Sequence, residues 1–450
     1  MLTFWGNHSN CCNGLSRRNF LRVGGLGLTG LTLADVFRLE AQAEIAPESN
    51  AVIMIGLPGG PSQFEMYDLK PDAPREIAGE LRPISTNVPG FQISELFPLQ
   101  AQIADKFAVV RGVNYYFDDA HSQQLIYTGF GRPFNVGTRI PGRIPRPAFG
   151  CVYSRLRGTT ARSGMPSYVS MIRATAKRGG DGENPAYVGP AHRAFTNGGN
   201  LLEDLQLEKG VPLERLASRR NLLKALDSMQ RSVDYDGRIA DADSATRRAW
   251  EAVTTPKVRD AFDLGQEPQS VRDMYGKIGN KGESGSIDPD QFLLARRLVE
   301  AGVKVVTLQV GSWDTHSKNF EYMHRWLPVL DRAIHALVTD LHQRGLDKHV
   351  AVLMWGEMGR TPIINKNPGR DHWADSGFAF FSGGAGLKMG QAIGQTDARG
   401  ERAVGRRYSV QNVLATVYHV LGIDPATTIR DYSGRPQYLL DEREKVEELL

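Results

Sequence analysis

Cysteine is scarce in this sequence, with three residues in 450. Cys11 and Cys12 lie in an N-terminal leader, so Cys151 is the one cysteine in the rest of the chain. A single thiol cannot form an intrachain disulfide, and the fold must therefore be stabilised by its hydrophobic core. We interpret Cys151 as a small buried residue rather than a nucleophile.

An excess of charge of one sign is also absent. Four of the 54 basic residues and two of the 50 acidic residues lie in residues 1–43, so the rest of the chain carries a net charge of about +2. A nearly neutral chain gives no indication of binding to nucleic acid or to an anionic membrane. Nucleotide-binding glycine motifs and internal repeats are missing as well.

No hydrophobic run is long enough to span a membrane. Residues 23–37 form an apolar stretch that is short and rich in glycine, whereas a membrane helix needs about 20 strongly apolar residues. The stretch follows Arg17 and Arg18 and precedes Ala41-Gln42-Ala43, a small-x-small pattern that suits a signal peptidase. We predict that residues 1–43 are a twin-arginine signal peptide and that the protein is periplasmic or extracellular. An uncleaved anchor and a chance arginine pair are the alternatives.

Four short apolar runs each end in a loop crowded with polar residues, and they cover residues 51–55, 107–110, 303–310 and 349–355. Near-continuous apolar runs of this length are typical of strands covered on both faces, as in a parallel sheet. Apolar residues at helical spacing predict helices over residues 289–301, 320–344 and 410–421. The alternation predicts an α/β fold, a three-layer sandwich with a predominantly parallel central sheet.

Residues 44–450 are predicted to form one domain. Residues 131–200 are rich in glycine, arginine and proline, which indicates long surface loops. Residues 201–280 have the pattern of charged helices without intervening strands. We therefore predict an irregular and helical insertion around residues 131–288 that covers the sheet.

The polar loops contain the candidate site residues. Ligands of open α/β sheets bind beyond the carboxyl ends of the strands, and carboxylates and imidazoles gathered there are typical of a zinc or manganese site. Two residues apart in an extended segment, Asp314 and His316 would point to the same face. The candidate metal ligands are Asp314, His316, Glu357, Asp371 and His372.

Each of these residues also has a structural interpretation. Asp314 could cap the following helix, and His316 could be a surface histidine. Asp371 could be a turn residue while His372 packs on the neighbouring tryptophan. Arg360 or another arginine could neutralise the acids in place of a metal. The glycine-rich loop at residues 56–62 could bind an oxyanion through its N–H groups or could simply be a tight turn.

Several motifs follow one another along nearly the whole chain: GGPSQFEMYDLKPDAP, HSQQLIYTG, SWDTHSKN, GEMGRTP, GRDHW and FSGGAGLKMGQAIGQTDARG. With the twin-arginine leader, they resemble the bacterial domain-of-unknown-function family fifteen-oh-one. That family is similar to the alkaline phosphatase and sulfatase superfamily. The resemblance implies an alkaline phosphatase-like fold and a metal-dependent hydrolase.

The resemblance also implies roles for individual residues. Asp314 matches the superfamily's metal-binding aspartate after a late strand, His316 lies where a companion histidine would help, and His372 is the last histidine ligand. Glu357 falls where the superfamily has an aspartate followed by a histidine, but Met358 follows here. Leu57 stands in the place of another metal-binding aspartate. The catalytic candidates, near the expected position of the nucleophile, are Asp119, His121 and Ser122.

The functional hypothesis is an exported, metal-dependent hydrolase of a phosphate or sulfate ester. Its substrate would be a small molecule or a polysaccharide ester, and its cofactor a divalent metal such as zinc, manganese or calcium. The alternative is a catalytically degenerate phosphatase-like scaffold that binds a glycan or a partner protein. Leu57 and Met358 favour the scaffold, whereas the acids and imidazoles at the strand ends favour the enzyme.

The leader makes a direct prediction about export. Because the twin-arginine route reads the arginine pair itself, replacing Arg17 and Arg18 with lysine should leave the protein in the cytoplasm, and the exported wild-type chain should begin near Glu44. Fractionation and N-terminal sequencing would measure both. Normal export of the double variant would contradict the prediction.

Overall fold

One mixed sheet of eight strands runs through the part of the chain that the computed structural model describes, residues 50–115, 121–131, 134–135, 138–139, 144–161, 163–172, 182–196, 256–277 and 285–450. In chain order its strands are β1 (Ala51–Gly56), β2 (Phe107–Val113), β3 (Tyr168–Ser170), β4 (Phe195–Thr196), β5 (Val305–Gln309), β6 (Val350–Trp355), β7 (Gly377–Ser382) and β8 (Gln391–Ile393). Across the sheet they follow the order β8-β2-β7-β6-β1-β5-β3-β4. All pairings are parallel except the two made by β7.

The central strand β1 shows why its sequence is apolar throughout. Val52, Ile53, Met54 and Ile55 are fully buried, and successive side chains of a strand point to opposite faces of the sheet. Val52 and Met54 pack into the core on one face, and Ile53 and Ile55 into the core on the other. A strand covered on both faces has no position for a polar side chain, so the apolar run predicted it correctly.

Helices cover both faces of the sheet. Those of the described residues are α1 (Gln63–Met66), α2 (Arg75–Ala78), α3 (Gln124–Thr128), α4 (Phe149–Arg157), α5 (Pro256–Phe262), α6 (Gln269–Tyr275), α7 (Pro289–Glu300), α8 (Asn319–Gln343) and α9 (Val410–Val420). Helices α5 to α8 pack in one core, and α3, α4 and α9 in the other. The predicted three-layer α/β sandwich with a predominantly parallel sheet is therefore confirmed. No helix in these ranges combines the length and the apolar character needed to cross a membrane.

Short elements join the larger ones. Two-stranded antiparallel ribbons pair Pro83–Ser85 with Gln92–Ser94, Phe134–Asn135 with Thr138–Arg139, Gly359–Arg360 with His372–Trp373, Gln395–Thr396 with Ala403–Val404, and Thr428–Arg430 with Pro436–Tyr438. A kinked 3₁₀ segment covers Gln100–Lys106. Single 3₁₀ turns cover Ala186–Val188, Pro190–His192, Leu264–Gln266, Leu346–Lys348 and Glu447–Leu449. The ribbon that contains His372 lies beyond the carboxyl end of β6 and helps to build the site.

The segment predicted as an insertion, residues 131–288, also contributes to the sheet. Its described residues include β3, which pairs with β5, and β4 at the sheet edge. Helix α4 from the same segment contributes Cys151 to the core, where its side chain is buried. The residues from 197 to 255 lie outside the described ranges, and the boundaries of the insertion stay a prediction.

A buried acid joins the long helix α8 to the 3₁₀ segment that precedes β2. Asp331 is 2% exposed, and its two carboxylate oxygens accept hydrogen bonds from the backbone N–H groups of Leu99 and Gln100, each at 2.9 Å. Burial raises the pKa of Asp331 from 3.8 to about 6, although both hydrogen bonds favour the ionised form. Relative to the protonated form, the ionised form of Asp331 is therefore less favourable in the folded chain than in the unfolded chain.

This shift predicts a pH dependence of stability. The folded state binds a proton at Asp331 more tightly than the unfolded state does, so the contribution of this acid rises as the pH falls from 7 to 4 and is lost as the pH rises through about 6. Relative to Asp331→Asn, the free energy of unfolding of the wild type should increase by up to about 3 kcal/mol over that range, since one pKa unit is about 1.4 kcal/mol. Urea unfolding at pH 4, 5, 6 and 7 would measure the difference, and a constant difference would contradict the assignment.

Candidate metal centre

The loops after β1 and β5 meet at the carboxyl edge of the sheet. Trp313 is fully buried; its backbone N–H donates to the carbonyl of Pro58 at 2.8 Å, and its indole N–H donates to Val310 at 2.9 Å. Gly59 lies against Asp314, the residue that follows Trp313. A Cβ atom added to Gly59 would be 2.6 Å from the backbone nitrogen of Asp314. Only glycine allows this approach, and Gly59 also has a φ of +100°, which disfavours other residues. Asp314 is thereby placed at the end of the central strands.

The ribbon after β6 brings the last candidate histidine to the same place. Arg360 pairs with His372, and Gly359 pairs with Trp373. A Cβ at Gly359 would lie 1.8 Å from the carbonyl oxygen of Ser376, so the ribbon needs glycine at this position. The pairing places His372 beside Asp314, although 58 residues separate them in sequence.

Three of the predicted metal ligands converge on one point. Nε2 of His316 lies 3.0 Å from Nε2 of His372 and 3.0 Å from Oδ1 of Asp314, and Nε2 of His372 lies 3.1 Å from the same oxygen. The three atoms form a nearly equilateral triangle. Asp314 and His316 come from the loop after β5, and His372 comes from the ribbon after β6.

Asp371 orients one corner of the triangle. Its Oδ1 lies 2.6 Å from Nδ1 of His316 and 3.2 Å from the amide nitrogen of Asn365. The hydrogen bond from His316 and, less strongly, that from Asn365 lower the pKa of Asp371, although the desolvation of this exposed carboxylate acts in the opposite direction. A carboxylate only accepts hydrogen bonds, so Nδ1 of His316 carries the proton. The hydrogen bond to Asp371 thus orients the ring of His316 so that Nε2 points towards Asp314 and His372.

The three atoms of the triangle need a proton or a metal ion between them. With Nδ1 of His316 protonated, a neutral imidazole presents a lone pair at Nε2, which faces a carboxylate oxygen and a second imidazole nitrogen at 3.0 Å. Shared protons or a metal ion relieve the repulsion. Ligands of a tetrahedral zinc ion at about 2.0–2.1 Å are about 3.3 Å apart, so the triangle needs to open by only a few tenths of an ångström. The donor set therefore fits a divalent metal.

His121, predicted as a catalytic residue, joins the same group. Its Nε2 lies 3.3 Å from Oδ2 of Asp314, and its ring stands edge-on to the ring of His372 with the centroids 4.7 Å apart. Ligand atoms of His121, Asp314 and His372 all lie within 4.8 Å of one another. His121 has a φ of +70°, uncommon outside glycine, and such backbone strain is often found at functional sites. A fourth ligand position is available here that the sequence alone did not identify.

Glu357 is separated from the triangle by His121. Its side chain is fully buried, its Oε1 accepts a hydrogen bond from the N–H of Gly59 at 2.8 Å, and the same oxygen lies 3.8 Å from Nδ1 of His121. Among the described residues, Oε2 has no hydrogen-bond partner. The two nitrogens of His121 therefore face two different carboxylates, Asp314 and Glu357, and the structure brings His121 rather than Glu357 next to Asp314.

The charges around the triangle keep Asp314 ionised. Partial burial alone would raise the pKa of Asp314, but hydrogen bonds from Arg360 and with His372, together with the charge of Arg360, lower it from 3.8 to about 2. Burial lowers the pKa of His372, and the charge of Arg360 adds to this, whereas the hydrogen bond with Asp314 acts in the opposite direction. An ionised carboxylate and a neutral imidazole are the forms that bind a metal.

The remaining predicted residues are placed as follows. Ser122 is 1% exposed, and its hydroxyl has no hydrogen-bond partner among the described residues. Asp119 lies outside the described ranges. The loop at residues 56–62 is a tight turn, because Glu357 accepts the N–H of Gly59 and the guanidinium of Arg360 donates to the carbonyls of Gly59 and Gly60. The N–H of Gly59 therefore already has a hydrogen-bond acceptor and is not available to bind an oxyanion.

The hydrogen bond from His316 to Asp371 is testable by NMR. In metal-free protein, ¹⁵N spectra should show His316 protonated at Nδ1, and Asp371→Ala should raise the fraction protonated at Nε2 because the acceptor is lost. His324, whose Nε2 lies 3.2 Å from Glu80, serves as an internal control and should not change. An unchanged His316 spectrum in the variant would show that Asp371 does not set the tautomer.

Comparison with solved structures finds distant likenesses. The lipoteichoic acid synthase LtaP from Listeria monocytogenes is 8% identical, with a TM-score of 0.39 over 84% of this chain and 73% of that chain. The sulfatase PsFucS1 from Pseudoalteromonas sp. is 10% identical, with a TM-score of 0.38 over 92% and 75% of the two chains. The phosphonate monoester hydrolase SpPMH from Silicibacter pomeroyi is 12% identical, with a TM-score of 0.33 over 85% and 76%. Likenesses at this level assign neither an activity nor site residues to the chain.

Sequence comparison is more specific. Comparison with the curated proteins finds no match. A family model described as "Protein of unknown function (DUF1501)" matches residues 49–450, which include all of the sheet and every residue of the triangle. The chain therefore belongs to the DUF1501 family, as its motifs predicted.

Proposed function

We propose that this protein is an exported, metal-dependent hydrolase of a phosphate or sulfate ester. The triangle of Asp314, His316 and His372, with edges of 3.0–3.1 Å, carries the proposal. Three potential ligands from two segments far apart in sequence meet at one point, and Asp371 accepts a hydrogen bond from one of them, His316. Structural histidines have no need for this arrangement, whereas metal-binding histidines almost always have such an acceptor behind them.

A bound divalent metal would polarise the ester oxygen or activate a water molecule. Asp314, His316 and His372 would hold it, and His121 stands close enough to complete the ligand set or to contact the substrate. Asp371 keeps His316 in the binding tautomer. Ser122, beside His121, stays a candidate for the group that contacts the ester, and so does Asp119, which the described ranges do not include.

The donor set favours zinc over the other metals considered. Imidazole nitrogens predominate around the triangle, and zinc accepts them readily. Calcium takes six to eight oxygen ligands, and manganese also prefers oxygen-rich sites. Asp314 supplies the carboxylate oxygen of the triangle, and the carboxylate of Asp371 accepts a hydrogen bond from His316. A zinc-type centre is therefore the version of the proposal to test first.

The centre is accessible from solvent, as hydrolysis of an ester requires. The side chain of His316 is 44% exposed, and those of His121, Asp314 and His372 are 22–29% exposed. A phosphate or sulfate group on a small molecule or at the surface of a polysaccharide could reach the triangle without entering a deep pocket. The predicted leader, if it functions, would bring the protein to such substrates outside the cytoplasm.

One observation favours the alternative of a scaffold without chemistry. Arg360 donates to Oδ1 of Asp314 at 2.7 Å and already supplies a positive charge to the carboxylate. Leu57 is fully buried and has no polar atom to offer a metal. A chain in which Arg360 alone satisfied Asp314 would bind a glycan or a partner protein through this face instead.

Metal content and ester hydrolysis separate the two functions. We expect purified protein to contain about one zinc or manganese ion per chain and to hydrolyse an aryl phosphate or aryl sulfate. His372→Ala and Asp314→Asn should each remove the metal and lower the rate at least ~100-fold, since each deletes a direct ligand. His324→Ala is the control, because His324 is exposed and pairs with Glu80 away from the centre.

Two results would reject the proposal. If elemental analysis finds no stoichiometric metal and chelators leave the melting temperature unchanged, the scaffold is the better description. If the chain binds metal but cleaves neither aryl ester, the centre exists without the proposed hydrolysis.

A further inference from the structure

The guanidinium of Arg360 contacts three of the segments that surround the triangle. The side chain is fully buried. Nε donates to the carbonyl of Gly60 at 2.9 Å, and Nη1 donates to the carbonyl of Arg370 at 2.9 Å. Nη2 donates to the carbonyl of Trp313 at 3.1 Å, to Oδ1 of Asp314 at 2.7 Å and to the carbonyl of Gly59. One planar group thus connects the loops after β1 and β5 to the loop that carries Asp371 and His372.

The backbone of Arg360 is fixed as well. The side-chain amide of Gln63 accepts from the Arg360 N–H and donates to its carbonyl, both at 2.9 Å. Both ends of the arginine are therefore held, and its planar fork has little freedom to turn away from Asp314. Lysine could not replace this function, because its single ammonium lacks the fixed fork of donors.

This geometry restricts how Asp314 can bind a metal. Arg360 takes one electron pair of Oδ1, which leaves the other side of that oxygen to His316 and His372, while Oδ2 faces His121. The orientation of the carboxylate is thus set by the protein and does not depend on a metal.

Charge limits the number of metals. The acids around the centre are Asp314, Glu357 and Asp371, and the fixed cation among them is Arg360. Three negative charges and one positive charge leave a net charge of about −2, which one divalent ion neutralises. The other buried arginine nearby, Arg370, is already paired with Glu65 at 2.7 Å. Without a bound anion, a second divalent ion would leave a charge of about +2 in a partly buried site, which is unfavourable.

We propose that Arg360 is the positioning residue of the centre and its permanent second cation, so that the chain binds one exchangeable metal ion and not two. This inference rests on the metal-binding part of the proposed function and is independent of ester hydrolysis. Arg360 contacts no substrate in this role; it acts through Asp314.

The test compares Arg360→Lys with Arg296→Lys. Arg296 is also a fully buried arginine, and it pairs with Glu267 and Asp340. Asp340 lies 21 residues after the start of α8, which at 1.5 Å per residue places it about 30 Å along the helix from the end nearest the Asp314 loop. Both variants should lower the melting temperature, so stability alone does not distinguish them. The readouts are zinc affinity by competition with a chromophoric chelator, metal stoichiometry, and the visible spectrum of the Co²⁺-loaded chain.

We expect the wild type and Arg296→Lys to bind one Zn²⁺ with the same affinity and to give the same Co²⁺ spectrum. Arg360→Lys should bind zinc about 10–100-fold more weakly, as expected when the partner of a ligand is lost, and its Co²⁺ spectrum should change. Wild-type affinity and spectrum in Arg360→Lys would overturn the proposal and leave Arg360 a purely structural residue.

The number of metal ions bound per wild-type chain tests the inference even if Arg360→Lys does not fold. Two tightly bound metals per chain would overturn the inference, and so would a wild type that binds none, which would also reject the metal centre. One bound metal with no ester hydrolysis would reject the hydrolase while leaving the role of Arg360 intact.

Discussion

The ion pair between the buried Arg360 and the partly exposed Asp314 connects the fold to its candidate centre. A guanidinium removed from water is costly unless its charge and its N–H groups are compensated, and here four carbonyls and a carboxylate do so. Those acceptors exist only when the loops after β1, β5 and β6 are in their native positions. Removing Asp314 would leave the buried guanidinium without its carboxylate partner, which is unfavourable. Loop geometry and ligand geometry are therefore stabilised by the same contacts.

A second buried arginine, Arg370, stabilises the position of Arg360. Arg370 lies over the ring of Phe64 at 4.4 Å, pairs with Glu65 and donates to the carbonyls of Thr361, Pro362 and Ile77. Its own carbonyl accepts from Arg360. The short helix α1 thus holds the segment that carries Asp371 and His372, and the two histidines of the triangle are fixed through the backbone as well as through their own hydrogen bonds.

Much of this arrangement could be predicted from the sequence because strand polarity and burial leave a clear pattern. The apolar runs that became β1, β5 and β6 have no polar alternation, and parallel strands bring their carboxyl ends to one edge, so Asp314, His316 and His372 could be placed together. The antiparallel strand β7 was missed, although Gly377–Ser382 is an apolar run. The direction of β7 in the sheet depends on the ribbon that precedes it, and the local sequence of the strand does not encode this direction. His121 was noticed, but its orientation depends on an unusual φ of +70°, and its position next to Asp314 depends on contacts between distant segments.

The tight approach of Gly59 to Asp314 shows how non-local the centre is. Gly59 is held by Glu357, which lies 298 residues further along the chain, and contacts of such sequence separation form only when a large part of the chain has already folded. The triangle and the contacts that position it extend from Gly59 to His372, and the segment SWDTHSKN contains only two of the three triangle residues. The candidate centre therefore has no local precursor: it exists only while the loops after β1, β5 and β6 are in contact, and any event that opens the carboxyl edge of the sheet near β1 disrupts all of it.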